Sequence, residues 1–166
     1  DKAVNIYQDS PEWLAQNMRS TRNFIRKWGH FVMHDPLMKP IVPNKYNVGI
    51  KITSCNSELL EILEPWCDSI LIDDEMQVLT SHYIDKEQKN TLFDLKSRIK
   101  STPFESLDND IIVELDGKLF NSTDFQYIQK LSQILDDSGQ VGDFQLGNLF
   151  ITIRKVNTYT KDLIKL

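Results

Sequence analysis

The stretch that most restricts this chain is YNVGIKITSCNSELLEILEPWCDSILIDDE, residues 46–75. Val48, Ile50 and Ile52 alternate with other residues, the period of two that places one side of a strand on a core. Asn56 or Ser57 then offers an N-cap, and Glu58 suits a first helical turn. Leu59, Leu60, Ile62 and Leu63 supply a buried side before Pro65 ends the helix. SILI, residues 69–72, is an apolar run flanked by acids and reads as a second, buried strand. Two strands joined by a helix rather than a tight turn imply parallel pairing, the βαβ unit.

The remainder continues the alternation. DKEQKNTLFDLKSRIKS, 85–101, reads as a helix with Leu92, Leu95 and Ile99 inward, and NDIIVELDG, 109–117, as another buried strand. STDFQYIQKLSQILDDSG, 122–139, is an amphipathic helix capped by Ser122 or Thr123 and closed by Gly139. Its inward side is Phe125, Ile128, Leu131 and Leu135. DFQLGNLFITIRKV, 143–156, is one strand or a hairpin turning at Gly147-Asn148 in type II′ fashion. NTYTKDLIKL reads as a short last helix. The fold class is therefore α/β, with a sheet of about four or five strands, parallel or mixed.

An N-terminal amphipathic helix precedes this domain. In DSPEWLAQNMRSTRNFIRKWG, Ser10 is the N-cap, Pro11 the first helical residue and Gly29 the stop. Leu14, Met18, Ile25 and Trp28 share one face, and Arg19, Arg22, Arg26 and Lys27 load the C-terminal half. HDPLMKPIVPNKYN follows, where Pro36, Pro40 and Pro43 predict an extended connection hugging the surface. The chain divides into a basic arm, 1–45, and an α/β domain, 46–166. Charge is polarised along it: residues 1–51 hold 8 Lys/Arg and 4 Asp/Glu, net +4, and residues 52–166 hold 11 and 20, net −9. Either the two parts attract each other or the arm faces an anionic partner. A nucleic acid is not expected, because most of the chain would repel phosphates.

With 166 residues, 40% of them hydrophobic and 26% charged, the chain has material for one core. No apolar run reaches the roughly 18 residues of a membrane span, and the N-terminus carries no signal-peptide pattern. A first residue other than Met suggests a piece of a longer protein. The expected setting is the cytoplasm, with Cys55 and Cys67 as reduced thiols. His30, His34 and His82 do not combine with these cysteines at zinc-site spacing.

In open α/β sheets, ligands sit beyond the carboxyl ends of strands. Ser54, Asn56 and Ser57 could there aim a hydroxyl, an amide and helix N–H groups at a phosphate or sugar, or simply cap the helix. Asp73 lies about 20 residues on, where an acid meets a ribose in dinucleotide folds. The glycine fingerprint is absent, however, since Gly49 is inside the strand and none follows before the helix. Asp73 and Glu75 face the same way along a strand, so they either hold a divalent cation or form a solvated turn. His34-Asp35 is the nearest acid–base pair, and Pro36 stiffens it unfavourably. Arg22 and Arg26, one turn apart, either fork onto one anion, dock on the acidic domain or face solvent. No resident metal or named cofactor is implied.

NFIRKWG followed by HDPLMKPIVPNKY resembles the segment that closes the catalytic domain in some bacterial family-2-type, GT-A-like inverting glycosyltransferases. Residues 46–73 resemble an α/β module attached to such surface-polysaccharide enzymes. The specific part of the likeness covers about residues 22–45. The resemblance implies an accessory or C-terminal domain that positions a glycan or nucleotide-sugar, or packs on a catalytic domain. The family's Asp-x-Asp and catalytic base would lie upstream, and IDDE does not match the former, so no catalytic residue carries over. Two other readings stand beside it: a non-enzymatic interaction domain docking on a partner protein through its basic arm, and a small metal-dependent enzyme using the strand-end acids.

Overall fold

The computed structural model describes residues 10–158. Helix α1 (Pro11–Trp28) starts where Ser10 Oγ accepts the Trp13 N–H at 3.1 Å and Pro11 opens the first turn. It stops at Gly29, whose φ of +79° needs no Cβ and whose N–H reaches the Ile25 carbonyl at 2.7 Å. Burial is one-ended. Residues 11–18 are all exposed, and Ile25 and Arg26 are buried.

The proline-rich run is not the extended connection its prolines predict. β1 (Met33–His34) and β2 (Pro40–Ile41) pair antiparallel, with Met33 opposite Ile41. Asp35 reverses the chain: its Oδ1 accepts the N–H groups of Leu37 at 2.8 Å and Lys39 at 2.9 Å. Prolines at the turn and on a two-residue edge strand remove no ladder donor, so they permit this hairpin. His30, beside the helix stop, is buried with its ring edge-on to Phe24, centroids 5.8 Å apart.

The βαβ unit forms as its pattern predicts, except that Ile62, expected on the buried side of the helix, is exposed. β3 (Val48–Thr53), α2 (Ser57–Leu63) and β4 (Ser69–Ile72) set the strands parallel, with Ile50 opposite Ile70 and Ile52 opposite Ile72. Next come α3 (Val78–Glu87), the short α4 (Leu95–Arg98) and β5 (Ile99–Ser101), which pairs parallel with β4. Of the helix expected over 85–101, only the end of α3 and the short α4 are α-helical, and α3 starts earlier, at Val78. Gln88 holds the break, accepting the Leu95 N–H at 2.9 Å and donating to the Phe93 carbonyl at 2.8 Å. Leu92 is left fully exposed and Ile99 joins the sheet.

β6 (Ile111–Asp116) lies on the other side of β3, parallel to it. α5 (Ser122–Gln129) and α6 (Leu131–Ser138) then divide the single helix expected over 122–139 at Lys130. The cap is Asn121, in a reciprocal box with Asp124, rather than Ser122 or Thr123. β7 (Gly142–Leu146) and β8 (Leu149–Ile153) form the hairpin alternative, turning at Gly147-Asn148 with φ +55° at the glycine. The short last helix read over 157–166 falls almost wholly outside the described residues.

The sheet order is β5-β4-β3-β6-β8-β7, parallel from β5 to β6 and antiparallel on both sides of β8. This is an α/β fold on a mixed sheet of six strands, more than the four or five expected because β5 and both arms of the hairpin belong to it. Val48, Ile50, Ile52, Ile70, Val113 and Ile151 line one sheet face, and they share a core with Leu60 and Leu63 of α2 and with Leu131 and Leu135 of α6. Ile25 of α1 joins the same core. The other face is mixed and half-open, with Leu71 buried on it. Lys51 and Glu114 pair across it at 3.6 Å, and Phe150, opposite Glu114, is exposed.

Candidate functional site

The strand order reverses between β3 and β6: the chain runs from β3 outward to β4 and β5, then returns to β6 on the other flank. Such a switch point opens a crevice beyond the carboxyl ends of the two strands. Here the strand exits touch. Gly117 donates its N–H to the Thr53 carbonyl at 2.7 Å, and a Cβ on Gly117 would fall 2.3 Å from the Ser54 carbonyl oxygen. Only glycine lets the β6 exit pass this close.

Four of the residues singled out in the sequence meet at this rim. Ser54 turns the chain out of β3 at φ +54°, a left-handed conformation uncommon for serine. Asp73, at the β4 exit, accepts the Ser54 N–H at 2.7 Å and the Cys55 N–H at 3.0 Å. The donors that could cradle a phosphate are therefore turned onto a carboxylate of the chain itself. Asn56 Oδ1 accepts the Leu59 N–H at 2.8 Å, which makes Asn56 the helix cap. Ser57, the first residue of α2, is exposed.

The neighbouring acids serve the backbone too. Asp74 is buried and accepts the N–H groups of Val78 at 2.9 Å and Thr80 at 2.8 Å, fixing the start of α3. Burial pushes its carboxyl upward, but the N–H groups of Thr80, Leu79 and Val78 and the Thr80 hydroxyl prevail and lower it below the usual range. Glu75 is exposed. Among the described residues, no three His, Cys, Asp or Glu side chains gather into a metal-type cluster. Cys55 is a free thiol pushed up to about 12, first by burial and then by Asp73 and Asp74. Cys67 is also free, and burial raises it further. Between the starts of α2 and α5 the crevice widens to about 330 Å³, with Leu59, Ile62, Phe120 and Phe125 as apolar wall and Asn56 and Asn121 at its mouth. His34 is exposed apart from this rim's residues, and the Asp35 carboxylate is engaged in its own turn.

Arg22 and Arg26 stand elsewhere. α2 descends from the carboxyl end of the sheet toward its amino end, and the two arginines meet the acids found there. Arg26 is buried, with Nη2 2.8 Å and Nε 3.1 Å from Glu64 Oε1, and Nη2 3.2 Å from the Tyr83 hydroxyl. Arg22 Nε lies 2.6 Å from Glu87 Oε2, and Arg98 Nη2 lies 3.2 Å from Glu64 Oε2. Of the three alternatives for this pair (a fork on one anion, docking on the acidic domain, or a solvent-facing pair), the contacts are those of docking, since the partners are the domain's own carboxylates. Burial alone would lower the Arg26 guanidinium, yet Glu64 outweighs it and the group is raised. Burial likewise raises Glu87, but Arg22 and Arg26 more than reverse that and lower it. Tyr83 is raised, by burial first and Glu64 second.

Glu64, Tyr83 and Glu87 were not singled out in the sequence. One signal for Glu64 existed: it is the acid inside ILEPW, where the residues on both sides are apolar and buried. Compared with family models, curated proteins and solved structures, the chain matches none.

Proposed function

We propose that this chain is an accessory α/β domain of a glycosyltransferase-like protein of bacterial surface-polysaccharide synthesis, acting in the cytoplasm by packing on a catalytic domain. The observation that carries this reading is the apolar stripe of α1. Ile25 buries its end of the stripe in the core, whereas Trp13, Leu14 and Met18 continue the same helix into solvent. A helix whose apolar side outlasts its own domain is built to be covered by another. Val32, Leu37, Met38 and Val42 on the adjoining hairpin extend the uncovered apolar surface. Two of the helix's four cations do not compete for that role, because Arg22 and Arg26 are already held by Glu87 and Glu64.

The reading is tested by placing a photo-crosslinking amino acid at Leu14 or Met18 in cells. Crosslinked peptides should come from a glycosyltransferase catalytic domain; crosslinks to other proteins, or none, would sink the proposal. Sugar transfer from a nucleotide-sugar by the isolated chain would also overturn it. A rise in melting temperature with Mg²⁺ or Mn²⁺ and a nucleotide-sugar would favour the metal-dependent enzyme instead.

A further inference from the structure

The four parallel strands end side by side, so the residues just beyond them share one edge of the molecule. Three of the four exits raise large apolar side chains into solvent. After β4 these are Met76, 83% exposed, and Val78, 67%; after β5, Phe104, 71%; after β6, Leu119, 59%. The charged residues among them are acidic but for one. Glu58 and Glu75 are exposed, Asp73 and Asp116 stand on the strand ends, and Lys118 is the one cation on these exits among the described residues. Neither Glu58 nor Glu75 has an ion-pair partner there. The loops that present this edge are also held firmly. Asp74 fixes the turn carrying Met76, and Asp73 ties the β3 exit to the β4 exit.

Apolar side chains this exposed need a cover, and their acidic setting selects it. We propose that the carboxyl end of the sheet docks a cationic amphipathic segment of a partner protein. Met76, Val78, Phe104 and Leu119 meet its apolar side, and Glu58 and Glu75 meet its lysines or arginines. The dimensions agree with a helix. Four adjacent strands span three gaps of about 4.8 Å, roughly 14 Å in all, the length of about ten helical residues. This surface lies on different elements from the α1 stripe and needs no catalytic domain.

The test titrates the intact chain with two labelled helical peptides of about 18 residues, one combining leucine with lysine at helical spacing and one combining leucine with glutamate. Fluorescence anisotropy should show the lysine peptide binding at least tenfold more tightly, an advantage that shrinks as salt rises. Met76→Ser with Leu119→Ser should weaken that binding about tenfold, and Phe150→Ser, on the open sheet face, should leave it unchanged. All three positions are exposed, so circular dichroism should show the fold intact. Equal binding of the two peptides, or equal loss on Phe150→Ser, overturns the proposal. So does sedimentation with equimolar phosphatidylcholine–phosphatidylserine vesicles that Met76→Ser with Leu119→Ser abolishes, which would assign the surface to lipid.

Discussion

Arg26 of α1 and Glu64 beyond α2 meet in a two-nitrogen ion pair, 2.8 Å at its closest, with both side chains wholly removed from solvent. The pair is how the basic arm becomes part of the acidic domain. Two charges in such a place stay ionised only with full hydrogen bonding, and both have it. Arg26 uses Asn23, Tyr83 and Glu64, and Glu64 also receives Arg98. The charge split, +4 over residues 1–51 against −9 over residues 52–166, is thus explained at its centre by internal pairing.

Removing Glu64 should harm the fold more than removing Arg26. Glu64→Gln leaves Arg98 facing a neutral amide and Arg26 with only the more distant Glu87 at 3.6 Å, whereas Arg26→Met leaves Glu64 still paired with Arg98. Breaking a buried pair costs about 3–5 kcal/mol, and Glu64→Gln belongs at the upper end. Urea denaturation of both single variants and the double variant measures it, and the double variant should lose less than the sum of the two. Strict additivity would show that the two residues do not act as a pair.

Stability should fall on acidification through Glu87 and Asp74. Both carboxyls are lower in the folded state than their ordinary values, 4.5 and 3.8, so the unfolded chain takes up protons first as pH drops. Their contribution is complete above those ordinary values and disappears as pH falls through the folded ones. Urea midpoints measured from neutrality downward should begin to decline near about pH 5. Glu87→Gln should be less stable at neutral pH and show a flatter decline. An unchanged slope would refute the assignment.

The parts of this fold that were readable in the sequence are those governed by local period and capping. Val48, Ile50 and Ile52 alternate because one face of β3 is core, and Ser10 and Gly29 mark helix ends by their own chemistry. The hairpin at 33–41 was hidden, because a two-residue strand has no period and its prolines suggest extension. The end of α3 was hidden for another reason: Gln88, a good helix former by propensity, uses its side chain to hold the next loop. The site divides in the same way. Strand-end reasoning gathers Ser54, Asn56, Ser57 and Asp73 correctly at one rim, but nothing local says that Asp73 would face the backbone of Ser54. The partners of Arg26 and Arg22 lie 38 and 65 residues away, and only the packed sheet brings them close.

Gly117→Ala should destabilise the chain much more than Gly139→Ala. At Gly117 the added methyl lands on the Ser54 carbonyl and on Leu59, so the β3 and β6 exits must separate, at about 1–3 kcal/mol or more. Gly139 has open space around its Cβ position, and the cost there is that of a left-handed alanine, about 1 kcal/mol. Thermal melts of the two variants decide the order. Equal melting temperatures would mean that the switch-point contact yields easily, and with it the claim that Gly117 sets the crevice.

Along α1, the same apolar stripe should behave in two ways. Ile25 is in the core, so Ile25→Ala leaves a cavity and should cost about 2–5 kcal/mol in the chain alone. Met18 and Leu14 are exposed, so Met18→Ala and Leu14→Ala should change stability by no more than about 0.5 kcal/mol. Chemical denaturation of the isolated chain separates the two groups. In the assembled protein the exposed pair should matter as well, because a packed catalytic domain would bury it, and crosslinking yield from a neighbouring site should drop in Met18→Ala. A large stability loss on Met18→Ala in the isolated chain would instead mean that the stripe is already covered by residues of the chain itself.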